Sequence, residues 1–159
     1  VAQTWIELPF ADGRYLFKLG LAQIAELETK CDAGIGRIYA RTRAGRFGFE
    51  PGEALPDAGE YRFPELVETI RQGLIGGGAG IVDGQDIAVS PARANDLVER
   101  YLLQATEQRL ALTNVWALAF TILSALIEGY SPPKKDPPAE EPATSTKGSA
   151  SRRRSRTAR

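Results

Sequence analysis

An Asp12-Gly13 pair set between two short alternating segments constrains this chain more than any other feature. Asp-Gly supplies the positive φ angles of a type I′ turn. A two-residue loop there pairs Phe10 with Tyr15, Leu8 with Phe17, Ile6 with Leu19, Pro9 with Leu16 and Glu7 with Lys18. Six large apolar side chains then share one face, and the other face carries an opposite-charge pair. Such a hairpin is not stable alone in water and needs a cover over its apolar face. A helical pattern begins at once, near Leu21.

The chain has 159 residues, enough for one domain with a real core. Its net charge of zero conceals an asymmetry: residues 1–130 hold 12 basic and 17 acidic side chains, and residues 131–159 hold 8 and 3. A single cysteine, Cys31, excludes an internal disulfide. The absence of histidine removes every His-containing triad and every His-ligated metal site. The first 20 residues alternate like strands and carry charges, unlike a secretory leader.

Leu21, Ile24, Leu27 and Cys31 fall on one side of a first helix that Ala33-Gly34 is expected to end. A short helix from Ile35 to about Ala44 would bury Ile38 and Tyr39 and stop at Gly45. Residues 48–62 are rich in Gly, Pro and acidic positions, the pattern of a surface excursion. Pro64 suits a first helical turn, where Glu65 and Glu68 complement the helix dipole. Leu66, Val67, Ile70 and Leu74 give the buried stripe, and Gly76 to Gly78 stop it. Ser90-Pro91 caps a helix carrying Ala94, Leu97, Val98, Tyr101, Leu102 and Ala105.

The last helix, about residues 113–128, has two apolar stripes: Val115, Leu118, Ala119, Ile122 and Leu126, and then Trp116, Phe120, Leu123 and Ile127. Such a helix is either central in its domain or half-covered by a partner. The fold class is therefore α+β, an N-terminal antiparallel β-hairpin packed against a small bundle of four to five helices over residues 1–130. Residues 131–159 read as a disordered tail of Pro, Ser, Ala and mixed charge.

Several constellations suggest chemistry. Gly73 to Gly80 lacks the Lys-Ser/Thr of a phosphate loop and follows a helix, which makes it a helix stop and flexible connection. The uncharged run Leu110–Ile127 is close to the shortest membrane spans, but Thr113, Asn114, Thr121 and Ser124 interrupt it and favour a soluble helix. Arg37, Arg41, Arg43 and Arg46 form a basic group that reads as a solvated face before it reads as a phosphate site. Arg152, Arg153, Arg154 and Arg156 suit either a polyanion such as nucleic acid or a solubilising end. Carboxylate pairs such as Asp83 with Asp86, or Glu26 with Glu28, show no tuning environment, and Cys31 sits on an apolar stripe. No catalytic, metal or cofactor residue is expected.

The order of pieces carries a resemblance. Gly13-Arg14-Tyr15-Leu16-Phe17-Lys18-Leu19 runs into Leu21-Ala22-Gln23-Ile24-Ala25-Glu26-Leu27-Glu28, followed by Gly45-Arg46-Phe47. Then come Ile70-Arg71-Gln72-Gly73-Leu74 with its glycine run, and Ile122 to Gly129 at the end of the last helix. Over roughly residues 4–130 this resembles the small tail proteins of gene transfer agents, grouped with phage tail assembly chaperones and also labelled tail tube proteins. Residues 50–62 look inserted by comparison, and the tail after Tyr130 is long and basic. The resemblance implies a non-enzymatic morphogenesis factor of the bacterial cytoplasm or of a phage-like particle, without cofactors. Its implied partners are tape-measure and tail tube proteins, with a homo-oligomer left open. Within that frame Trp116, Phe120, Leu123 and Ile127 are the candidate partner contact. The alternative is a nucleic-acid-associated or regulatory protein acting through its arginine-rich tail.

Overall fold

The first hairpin forms, but two residues out of the expected register. In the computed structural model, which describes residues 2–45 and 61–133, β1 (Trp5–Phe10) pairs antiparallel with β2 (Gly13–Lys18). Phe10 lies opposite Gly13, Leu8 opposite Tyr15 and Ile6 opposite Phe17, so the loop is Ala11-Asp12. Glu7 faces Leu16 and Lys18 faces Trp5, which corrects the expected Glu7–Lys18 pair. Side chains alternate with period two, so a two-residue slip leaves each on its own face. Ile6, Phe10, Tyr15, Phe17 and Leu19 are accordingly buried.

The reason for the slip lies in a second hairpin that the sequence pattern did not reveal. β3 (Ala79–Val82) and β4 (Gln85–Ala88) extend the sheet to the order β1-β2-β3-β4. Gly13 pairs with Val82 there, and a Cβ on it would stand 2.3 Å from the Ile81 carbonyl oxygen. Glycine is needed in the strand for the approach of β3, and the turn is left to Ala11 (φ 55°) and Asp12. The expected flexible connection after Gly78 is thus regular structure.

The helices cover one face of the sheet. α1 (Leu21–Cys31) buries only Leu27 fully, and Leu21, expected on its apolar side, is 88% exposed. Asp32, left-handed at φ 48°, ends α1 in place of the expected Ala33-Gly34 stop. Gly34 precedes α2 (Ile35–Ala44), whose first N–H donates to the Glu28 side chain at 2.8 Å. α2 stops at Gly45 as its spacing predicts.

α3 (Phe63–Gly77) is the central element, packed on β2, α1, α4 and α5. Pro64 opens it, and Gly78 closes it by donating to the Leu74 carbonyl. Gly76 and Gly77 let its end close on β2, since a Cβ at either would stand 2.0 Å or less from the Lys18 or Leu16 carbonyl oxygen. Glu65 and Glu68, expected to complement the dipole at the start of this helix, are both buried.

Ser90 caps α4 (Pro91–Val98), its Oγ accepting from the Arg93 N–H at 3.2 Å. One π turn (Glu99–Leu103) prolongs α4, which leaves Ala105 exposed beyond the helix. α5 (Leu112–Ile127) lies against α3, α2 and β1. Gly129 then turns the chain so that Tyr130 and Gln3 exchange backbone hydrogen bonds of 2.9 and 2.7 Å. The α+β class holds. Of the expected excursion at 48–62 and insertion at 50–62, all but residues 61 and 62 lie outside the described residues, as does the tail from 134 onward.

Candidate functional site

Ten of the sixteen residues of α5 are Ala, Leu, Val or Ile, and the helix is wrapped on two sides. Val115, Leu118, Ala119 and Ile122 face the core, as the first stripe predicts. The second stripe is divided. Leu123 is fully buried, Trp116 and Phe120 are half-buried, and Ile127 is 44% exposed.

What lies over Trp116 and Phe120 is α2. Tyr39, Phe120 and Trp116 form a ladder of near-parallel rings, with centroids 6.3 and 5.2 Å apart and interplanar angles of 2° and 5°. The Trp116 indole N–H donates to the Thr42 carbonyl at 2.7 Å. The Tyr39 hydroxyl donates to Glu128 Oε1 at 2.6 Å, and Arg43 stands 3.9 Å from the same oxygen. That hydrogen bond holds the Tyr39 pKa above its usual 10.0, because ionisation would set two anions face to face.

Few apolar atoms hold α2 down. Ile38 is its one fully buried large apolar side chain, worth about 1.5–3 kcal/mol. Each ring contact adds about 0.5–1.5 kcal/mol. The Arg43–Glu128 pair is largely exposed and adds less than about 1 kcal/mol. The remaining link is ionic. Arg41 Nη2 lies 2.6 Å from Glu65 Oε1, off the hydrogen-bond axis, so neither Glu65 oxygen is hydrogen-bonded. Burial therefore raises the Glu65 pKa above 4.5, against the pull of Arg41, Arg62 and Arg37.

Beside it, Glu68 meets Lys30 at 3.4 Å, accepts from Gln72 at 2.8 Å and pairs with Arg71. Partial burial first, and then the Glu65 and Glu68 carboxylates, push the Cys31 thiol up to about 11 against the opposing pull of Arg41 and Lys30. Such a thiol stays protonated near neutral pH and is a poor nucleophile. The basic group read from sequence does not act as one face. Arg41 turns inward to Glu65, Arg43 reaches Glu128, Arg37 is exposed, and Arg46 lies outside the described residues. Arg152, Arg153, Arg154 and Arg156 also lie outside them.

One cleft had no forewarning in the sequence. It encloses about 440 Å³ between the start of α3 and the approach to α5, walled by Phe63, Leu102, Leu110, Leu112 and Val115, with Arg109 beside them. Its walls suit apolar contact and gather no set of ionisable groups. Among the described residues no helix is long and apolar enough to cross a membrane.

A family model described as "Phage tail tube protein, GTA-gp10" matches residues 4–55. The match takes in the first hairpin, α1 and α2, and supports a relation to the tail proteins of gene transfer agents. No curated protein and no solved structure matches the chain.

Proposed function

We propose that this chain is a non-enzymatic assembly chaperone or minor component of a phage-like, gene-transfer-agent tail. In this reading it binds the tape-measure protein, the tail tube protein or both during tail building, and is present in the cell or in the particle. The observation that carries the reading is the family match over residues 4–55, which covers the β1–β2–α1–α2 unit. α5 supports it, since its second stripe ends in an exposed Ile127 and its Phe120 is only half-buried beneath α2, which leaves part of the stripe open to a docking helix.

The test is direct binding between the purified chain and the tube and tape-measure proteins of a gene-transfer-agent tail. Phe120→Asp with Ile127→Asp should weaken binding at least tenfold while the circular dichroism spectrum is kept. Unchanged affinity in that variant removes α5 from the interface, and no binding to either protein removes the reading. Deleting residues 131–159 addresses the alternative: tail-protein binding persists if the body is the working part, whereas nucleic-acid binding and its steep salt dependence vanish if the arginines are.

A further inference from the structure

We infer that α2 is a detachable cover over the second stripe of α5, an autoinhibitory contact that opens as a unit while the rest of the fold stays closed. Its purpose rests on the docking role given to α5 above, but the opening itself is a property of the chain alone.

Three observations carry it. First, α2 and α3 are unequal. α3 buries nine of its residues, whereas α2 buries only Ile38 and Thr42. Second, most bonds fastening α2 to α5 are at its surface, namely Tyr39 to Glu128, Arg43 to Glu128 and the Tyr39–Phe120–Trp116 ladder, while the Trp116 indole N–H to the Thr42 carbonyl lies deeper. The surface bonds release into water, where each polar group finds a new partner, so undocking orphans nothing on that side. The inward link, Arg41 to Glu65, is a buried ion pair at 2.6 Å outside hydrogen-bond geometry, and it is the contact that opposes opening most. Third, a hinge is in place. Asp32, left-handed, separates α1 from α2, and Gly34 follows at the N-cap of α2.

Opening about that hinge removes Tyr39 and Thr42 from Phe120 and Trp116. It thereby makes one continuous surface of residues that the closed form divides between cover and solvent. A partner helix would then take the place of α2, and its binding would be opposed by the closing equilibrium. Affinity for the stripe would rise as the fastenings are weakened.

Hydrogen exchange of the full chain tests the opening residue by residue. Amides of residues 38–44 should exchange at least tenfold faster than those of Ile70 and Leu74, by a process with weaker denaturant dependence than global unfolding. Tyr39→Ala, which removes a ring and a hydroxyl from the fastening, should speed exchange in α2 about tenfold more and leave α3 unchanged. Tyr39→Phe removes only the hydroxyl, keeps the core intact and should give a smaller acceleration of the same pattern. If α2 exchanges only together with α3, or if either variant accelerates both helices equally, the cover does not exist as a unit. If α2 opens alone but Tyr39→Phe weakens partner binding, the autoinhibitory role is overturned and the opening stands.

Discussion

The β3–β4 hairpin turns on Asp83-Gly84, with φ angles of 50° and 74°, as a type I′ loop requires. The β1–β2 hairpin contains the same dipeptide and does not turn on it. Its loop is Ala11-Asp12, with a positive φ of 55° at Ala11 alone, and Gly13 has been drawn into the strand. The two hairpins differ in what surrounds them. β3 and β4 are only four residues long and β4 is an edge strand, so local turn chemistry decides the register between them. β1 and β2 carry Ile6, Phe10, Tyr15 and Phe17 into the core, and β2 must also receive β3. Tertiary demand outweighs the turn preference there, at the cost of a left-handed alanine.

Removing the core support should therefore produce the largest effect. Phe17 is 1% exposed and touches Phe10 edge-on at 6.0 Å. Phe17→Ala is expected to lower unfolding free energy by about 3–5 kcal/mol, read from urea melts. A loss below about 1 kcal/mol would mean that the first hairpin is held by its turn after all.

The two glycines separate steric from conformational need. Gly13→Ala places a methyl against the Ile81 carbonyl and should cost about 2–3 kcal/mol, with β3 amides losing protection first. Gly84 has open space around it but a φ of 74°. Gly84→Ala should cost only about 1–2 kcal/mol, confined to the β3–β4 loop in chemical-shift maps. Equal costs with equal spread would erase the distinction drawn here.

Only the first hairpin has a side-chain latch. The buried Tyr15 hydroxyl donates to Asp12 at 2.5 Å, and burial, with the Asp12 carboxylate, raises its pKa above 10.0. The folded state thus holds this proton longer than the unfolded chain does. Stability falls as pH rises from about 10 through the raised folded value. Tyr15→Phe is expected to cost about 1 kcal/mol at pH 7 and to flatten that alkaline decline in part, Tyr39 and Tyr61 being raised as well. An unchanged alkaline slope in the variant would show the latch to be unimportant.

These contrasts explain how much was legible beforehand. The faces of β1 and β2 were readable because a two-residue slip preserves them. Their register was not, because it depends on Ile81, a residue brought in from across the chain. Asp83-Gly84 was in plain view, but Ala79–Val82 and Gln85–Ala88 are too short and too weakly alternating to stand out beside a glycine run. The helical stripes of α3, α4 and α5 were legible from their 3.6-residue period. The burial of Glu65 and Glu68 was not, since Arg41 and Lys30, which compensate them, come from other helices. At the candidate site, the pattern of α5 announced two apolar sides. It carried no information that α2 would cover Trp116 and Phe120 while Leu123 turned into the core.

The smallest effect tests the comparison most closely, because its sign is reversed. A left-handed alanine costs about 1–2 kcal/mol relative to an ordinary φ, and glycine carries about 0.5–1 kcal/mol of extra unfolded-state entropy. The Ala11 methyl is half-buried against the core and returns part of the difference. Ala11→Gly should therefore stabilise the chain by about 0.5 kcal/mol, seen as a shift of the urea midpoint at constant slope. Glycine at that position also matches the preference of a II′ loop, where only the first residue has positive φ. If Ala11→Gly destabilises instead, the methyl contact is holding the turn, and the register of the first hairpin owes more to packing at its tip than to the arrival of β3.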